Sequence, residues 1–106
     1  MEKQSIPSYQ LFNEGHFSKN IIFKSNHSQV FLLNLLPGQE MPSHYHIGAE
    51  LYLHVLQGSG TFSIDGHELI VSQNEVIHCD GTQRLGFANT GNENVSIFVT
   101  LSKMNR

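Results

Sequence analysis

The chain has 106 residues, which is enough for one folded domain and too few for two. Six basic and nine acidic residues give a net charge of −3, and the basic residues are scattered, so we expect no nucleic-acid partner. No apolar run is long enough to cross a bilayer, so we expect no membrane partner. Cys79 is the only cysteine and no hydrophobic signal segment opens the chain, which predicts a cytoplasmic protein without an intrachain disulfide.

The chain divides by composition into a polar beginning and a longer part with regular apolar runs. Residues 1–19 are polar and mixed, and we predict an N-terminal arm there, with one short strand near Tyr9–Phe12. Residues 20–106 are predicted to form a single domain. We find no internal repeat and no low-complexity stretch that would divide it further.

Short apolar runs recur about every eight to twelve residues, with turn signals between them, which is typical of a β-sandwich or barrel. The predicted strands are Asn20–Lys24, Val30–Leu36, Leu51–Gln57, Thr61–Ile64, Glu68–Val71, Glu75–Cys79, Arg84–Asn89 and Val95–Leu101. Asp65-Gly66 between two of these runs is the strongest hairpin signal in the chain. No segment has helical periodicity over three turns, so the sequence predicts an all-β, antiparallel jelly roll or small barrel.

Alternation along two strands predicts which side chains are buried. His78 and Cys79 are neighbours on a strand and must face opposite ways, and we assign Cys79 to the core because it is small and apolar. The last strand alternates in the same way, with Val95, Ile97, Val99 and Leu101 on one face and Ser96, Phe98 and Thr100 on the other.

The strongest functional signal is a pair of histidines flanked by glycines. Five residues separate Gly38 from His44, one residue separates His44 from His46, and eleven residues separate His46 from Gly58. Two histidines that are two positions apart on a strand project to the same face. The aliphatic runs on both sides suggest that this face is the interior, where paired imidazoles are the usual beginning of a metal site.

These spacings resemble the first motif of the cupin family, which runs Gly-x5-His-x-His, three or four residues, Glu, six residues, Gly. Asn89 fits the last position of the family's second motif, and Gly91 follows it in a turn. The resemblance spans roughly residues 30 to 101. It implies a double-stranded β-helix (a jelly-roll barrel), a divalent ion such as Zn, Mn, Fe or Ni in the barrel, and a homodimer in which the arm and an outer sheet pack on the second subunit.

The departures from the family pattern concern two of its four metal ligands. Read without a gap between His46 and Gly58, the position of the family's Glu falls on Leu51. Read backwards from Asn89, the position of the family's second-motif His falls on Leu85. Leucine has no lone pair to offer, so the chain keeps two ligands of four, His44 and His46.

Glu50 is the remaining candidate for a third ligand, and two interpretations of it stay open. It lies one residue early, and a β-bulge near the pliable Gly48 would be needed to turn it inward. The opposing interpretation places Glu50 outside or at a subunit interface, together with Tyr52 and His54. It follows from an aliphatic stripe on the alternate positions: Leu51, Leu53 and Val55.

Two functions follow from these residues. The first, which we favour because both missing ligands are leucine, is a small-molecule-binding protein with a degenerate metal site, acting as a sensor or auxiliary binding module. The second is a metal-dependent enzyme of isomerase or dioxygenase type that uses His44, His46 and Glu50. Whether the chain is an enzyme therefore stays open at this point. The pocket of the first function would be lined by Leu51, Leu53, Leu85 and Phe87.

Overall fold

The structure is a computed structural model that describes residues 1–104. These residues form a short 3₁₀ turn at Ile6–Tyr9 and nine β-strands. The strands are β1 (Ser18–Lys24), β2 (Ser28–Leu35), β3 (Glu40–His44), β4 (Ala49–Gln57), β5 (Ser59–Ile64), β6 (His67–Ser72), β7 (Val76–Asp80), β8 (Leu85–Ala88) and β9 (Val95–Lys103). Within the same residues, no helix is long and apolar enough to span a bilayer.

The strands form two antiparallel sheets that enclose one core. The five-stranded sheet has the order β1-β2-β9-β4-β7, and the four-stranded sheet has the order β3-β8-β5-β6. Apolar side chains from both sheets meet in a single cluster, for example Leu35 and Val55 from the first sheet and Phe62 from the second. The predicted all-β, antiparallel jelly roll is confirmed.

All eight strands predicted from the apolar runs are present, with small shifts at their ends. The strand that the sequence did not predict is β3, which contains Pro42. Proline lacks the N–H of a ladder hydrogen bond and is tolerated at a sheet edge, and β3 is an edge strand of its sheet. The predicted strand near Tyr9–Phe12 is wrong, because the chain forms the 3₁₀ turn Ile6–Tyr9 there, with Pro7 in its first turn.

The hairpin between β5 and β6 forms as the Asp-Gly signal predicts. Asp65 has a φ of 52° and Gly66 a φ of 81°, and Ile64 pairs with His67 across them. Positive φ at both central residues is the conformation that lets a two-residue turn match the twist of its strands. The Asp65 carboxylate also accepts a hydrogen bond from the backbone N–H of Arg84 at 2.8 Å, which ties the hairpin to the start of β8.

The N-terminal segment is fixed to the five-stranded sheet by asparagine side chains. The backbone carbonyl of Tyr9 accepts hydrogen bonds from Nδ2 of Asn20 at 2.9 Å and from Nδ2 of Asn34 at 2.8 Å. Asn34 is completely buried, and its Oδ1 accepts a hydrogen bond from the hydroxyl of Ser96 at 2.8 Å. These contacts hold the segment against β1 and β2, while the domain boundary at residue 19 stays a prediction.

Asn89, which fits the last position of the second motif, has a structural role. Its side chain is buried, and Nδ2 donates hydrogen bonds to the carbonyls of Leu35 at 2.9 Å and Glu93 at 2.8 Å. Its Oδ1 accepts a hydrogen bond from the N–H of Gly91 at 3.1 Å. One amide therefore joins the end of β2 to the turn between β8 and β9.

Replacing Asn89 by leucine should destabilise the fold strongly. The change leaves three backbone groups without their partner, and each such group costs about 1–3 kcal/mol. We expect the free energy of unfolding in urea to fall by about 3 kcal/mol or more. Asn92→Leu, at an exposed position of the same turn, should change it by less than about 0.5 kcal/mol. Equal losses in the two variants would show that the buried amide has no such role.

Candidate binding cavity

His44 and His46 come together, although they do not share one continuous strand. β3 ends at His44, and the β3–β8 pairing is irregular between Met41 and His44, so His46 lies in the turn that follows. The two ring centroids are 4.4 Å apart and the ring planes are tilted by 52°. The pair therefore converges through the irregular end of the strand and the turn, rather than through strand alternation.

The turn that carries His46 is held by the segment after β7. The N–H of His46 donates to the carbonyl of Gly81 at 3.1 Å, and the N–H of Gly81 donates to the carbonyl of Ala49 at 2.9 Å. Within the turn, the N–H of Ala49 donates to the carbonyl of His46 at 3.1 Å. Three backbone hydrogen bonds thus fix the position of His46, whose side chain is half-buried, while the side chain of His44 is exposed, so the predicted interior position of the pair is only partly reached.

The hydrogen bonds of the two rings differ. Nδ1 of His44 lies 2.9 Å from the carbonyl oxygen of Pro42, and since a carbonyl only accepts, this nitrogen carries the proton. In the neutral ring, Nε2 of His44 is then left as an acceptor. Nδ1 of His46 is buried and has no hydrogen-bond partner in the structure. Buried polar atoms nearly always have a partner, so this nitrogen marks a place where a bound polar group would gain a hydrogen bond.

The two histidines border a cavity of about 100 Å³ between the sheets. Apart from the histidines and one lysine, its walls are apolar. They include Leu33, Met41, Leu51, Leu53, Leu85 and Val99. The predicted pocket residues Leu51, Leu53 and Leu85 are therefore in the wall of this cavity.

The two leucines that the motif counts identified border the same cavity as the histidines. Leu85 is paired with His44 across β3 and β8, and it is buried beside the cavity. Leu51 is equally buried, on the inner face of β4. Phe87, the fourth predicted pocket residue, does not line this cavity, because its ring packs edge-on against Phe62 in the core with centroids 4.7 Å apart.

Glu50 lies on the outer face of β4, away from the histidine pair. Its Oε1 is 3.0 Å from Nε2 of His78, on the neighbouring strand β7. β4 pairs with β7 without a register shift from Glu50 to His54, so the bulge that could have turned Glu50 inward is absent there. The prediction of Glu50 as a third ligand beside His44 and His46 is therefore corrected by the geometry. Cys79 points into the core and His78 is exposed, as predicted.

Tyr52 lies on the same outer face, for which the resemblance to cupins implies a subunit interface. Its ring is 5.0 Å from that of His78, and 43% of its surface is exposed. His54, two residues further along β4, is half-buried. The outward direction of these side chains agrees with the alternation of the strand, while the homodimer stays a prediction.

The residues around the pair do not fit a resident divalent ion. No group of three His, Cys, Asp or Glu side chains within residues 1–104 is close enough to hold a metal ion. Zinc sites use three or four protein ligands, and non-haem iron sites use two histidines and a carboxylate. His44 and His46 supply two ligands, and the positions that would complete the set are Leu51 and Leu85.

Lys19 is a component of the cavity that the sequence analysis missed. It lies on β1, opposite Leu33 on β2, and its Nζ is 4.4 Å from the centroid of the Phe31 ring. Its place in the cavity wall depends on the pairing of β1 with β2, which spacing along the chain does not reveal. A lysine on an edge strand also discourages pairing with other chains, so this position has a structural interpretation as well.

His46 should remain uncharged to lower pH than a free histidine. Burial lowers its pKa, and the nearby charges of His44 and Lys19 lower it further. A lowered pKa in the folded state means that the folded chain binds fewer protons, so His46 contributes stability above pH ~6.5 that is lost as the pH falls. In an NMR titration, the His46 ring signals, assigned with His46→Gln, should have their midpoint below ~6.5. A midpoint at or above that value would contradict the burial of this ring.

Comparison with known proteins identifies a family whose model matches this chain. A family model described as "Cupin domain" matches residues 31–101. A curated relative, the tetracenomycin polyketide synthase protein TcmJ of Streptomyces glaucescens, is 26% identical over 72 residues, which are 68% of this chain. The match spans 48% of TcmJ, so the chain corresponds to about half the length of that relative.

Solved structures share the whole fold. The protein TT1209 from Thermus thermophilus superposes with a TM-score of 0.91 at 20% identity, covering 99% of this chain and 100% of the other. An uncharacterized protein with a double-stranded beta-helix domain from Klebsiella pneumoniae superposes with a TM-score of 0.92 at 21% identity, covering 99% and 92%. At these identities, the similarity establishes the fold.

Proposed function

The chain belongs to the cupin domain family, and on that premise we propose that it binds a small molecule in the cavity between its two sheets. One observation carries the proposal: the two histidines of the motif share their cavity with Leu51 and Leu85. A pocket that is mostly apolar, with a few convergent polar groups, is the usual form of a small-molecule site.

The size of the cavity limits what it can hold. Its volume of about 100 Å³ is smaller than a dry apolar cavity of about 150 Å³ that accommodates benzene. The enclosed part of a ligand is therefore a short hydrocarbon group, and a polar end would lie against the imidazoles.

The role we propose is that of a sensor or auxiliary binding module. The role of an auxiliary binding module is compatible with the name of the curated relative, a polyketide synthase protein. A metal-dependent isomerase or dioxygenase would need a third ligand beside the histidines, and Glu50 is engaged with His78 instead. For this reason, we do not propose the enzyme.

Methyl-labelled protein and NMR test the proposal. Isobutanol, a small neutral probe with an apolar group and one hydroxyl, should shift the methyl signals of Met41, Leu51 and Leu85 in a saturable way. The methyl signals of Leu69, which is exposed on β6, serve as the control and should not move. Cyclohexanol, which is larger than benzene, should bind more weakly than isobutanol. The proposal fails if no probe moves the interior methyl signals, or if they move no more than those of Leu69.

A further inference from the structure

The polar side chains that border the cavity form a cluster in which every polar atom is a nitrogen. Lys19, His44 and His46 all border the cavity, and no aspartate or glutamate does. Glu50 is hydrogen-bonded to His78, and within residues 1–104 no carboxylate forms a salt bridge with Lys19. The cluster therefore has a positive charge that no acidic side chain neutralises.

The rest of the cavity offers nothing to a charged or strongly polar ligand. Leu51, Leu53 and Leu85 are each at most 2% exposed, and they form its inner wall. Burying a polar group against such a wall without a hydrogen bond is costly. A ligand that fits both parts has an anionic group at one end and a hydrocarbon group at the other.

We propose that the cavity binds short monocarboxylates, with the carboxylate between Lys19 and the two histidines and the hydrocarbon tail against Leu51, Leu53 and Leu85. This inference rests on the proposed small-molecule function and adds the chemical class of the ligand. The cavity volume of about 100 Å³ sets the tail at roughly three to five carbons, because about 150 Å³ accommodates the six carbons of benzene.

The individual contacts suit a carboxylate. The ammonium group of Lys19 supplies charge-assisted hydrogen bonds, which are about twice as strong as neutral ones. The buried Nδ1 of His46 lacks a partner, and in the tautomer that protonates this nitrogen its N–H can donate a hydrogen bond to a carboxylate oxygen. A phosphate fits less well, because the single charge of one lysine does not balance a dianion. Phosphate sites usually also have arginines or several backbone N–H groups.

Isovalerate and its neutral isostere isovaleramide test the inference on the wild-type chain. By isothermal titration calorimetry, isovalerate should bind at least about tenfold more tightly than isovaleramide, because only the acid carries the charge. Acetate, which has the carboxylate without the tail, should bind more weakly than isovalerate. If the amide binds as well as the acid, the carboxylate inference is overturned while the proposed function stands. If neither isovalerate nor isovaleramide binds, the carboxylate inference is overturned, and the isobutanol titration decides whether the proposed function stands.

Two lysine variants separate ligand recognition from a structural role. Lys19→Met keeps the apolar stem and removes the charge, so it should weaken isovalerate about tenfold and leave isovaleramide unchanged. Lys24→Met, at an exposed position of the same strand, is the matched control and should bind both compounds as the wild type does. Lys19→Arg keeps the charge and should retain the preference for the acid, which gives a readout if Lys19→Met folds poorly. Equal losses for acid and amide in Lys19→Met would overturn the inference.

Discussion

A chain carrying both Leu51→Glu and Leu85→His is expected to bind one divalent ion tightly, where the natural chain does not. Both leucines line the cavity that His44 and His46 border, and Leu85 is the strand partner of His44. The double variant would place three imidazoles and one carboxylate around one space. That set satisfies the ligand number of zinc sites and includes the two histidines and carboxylate of iron sites.

The expected gain in metal affinity is large because the new carboxylate and the new imidazole would both contact the ion directly. Partners that only orient a ligand are typically worth 10–100-fold in metal affinity, so two added ligands should tighten binding by more than about 100-fold. Competition titration of Zn²⁺ or Mn²⁺ against a chromophoric chelator measures this. Adding His44→Ala to the double variant is the matched control, and it should reverse most of the gain.

The same variant should become dependent on metal for its stability. A carboxylate introduced against the buried wall of β4 is costly without a partner, so the metal-free variant should unfold at lower urea than the natural chain. Metal that binds only the folded state should restore the midpoint. A double variant that binds no tighter than the natural chain would show that positions 51 and 85 do not converge with the histidines as described.

Replacing Gly81 by alanine is expected to cost at least about 3 kcal/mol in the free energy of unfolding. A Cβ at this position would lie 2.0 Å from the carbonyl oxygen of His46 and 2.4 Å from that of Ala49. Both are backbone atoms in a hydrogen-bonded turn, so neither can move aside alone. The turn that positions His46 would have to shift, and the His46 ring signals in NMR should shift with it.

Gly48→Ala, in the same turn, is the matched control for this prediction. Gly48 has a φ of +84°, but a Cβ there would meet nothing within 4 Å. Gly48→Ala therefore loses only the tolerance of glycine for a positive φ, which lowers the free energy of unfolding by about 1–2 kcal/mol. Urea unfolding of the two variants compares a steric collision with a conformational preference. If Gly81→Ala costs no more than Gly48→Ala, the close approach of the two turns is not a real constraint.

Most of the fold could be predicted because strand alternation is a local property. The last strand shows this well, since its inward residues follow from a period of two and all four are buried: Val95, Ile97, Val99 and Leu101. β3 could not be predicted in this way, because Pro42 argues against a strand unless the strand lies at a sheet edge. Edge position is a property of the assembled sheet.

The candidate site could be predicted where it depends on register and could not where it depends on distant pairing. Leu51 and Leu85 followed from counting in two motifs, because a fixed period determines which face each residue takes. The contact of Glu50 with His78 joins two strands that are far apart in the chain. The place of Lys19 in the cavity likewise depends on how β1 pairs with β2.

Metal analysis of the purified, untagged protein tests the central claim, that the cavity is an organic-ligand site and not a metal centre. Mass spectrometry after dialysis against Zn²⁺, Mn²⁺ or Fe²⁺ and removal of the free ion should find well below one ion per chain. The result should be the same for Glu50→Ala, because Glu50 is paired with His78 and is not directed at the cavity. One ion per chain that is lost in both His44→Ala and Glu50→Ala would contradict the account.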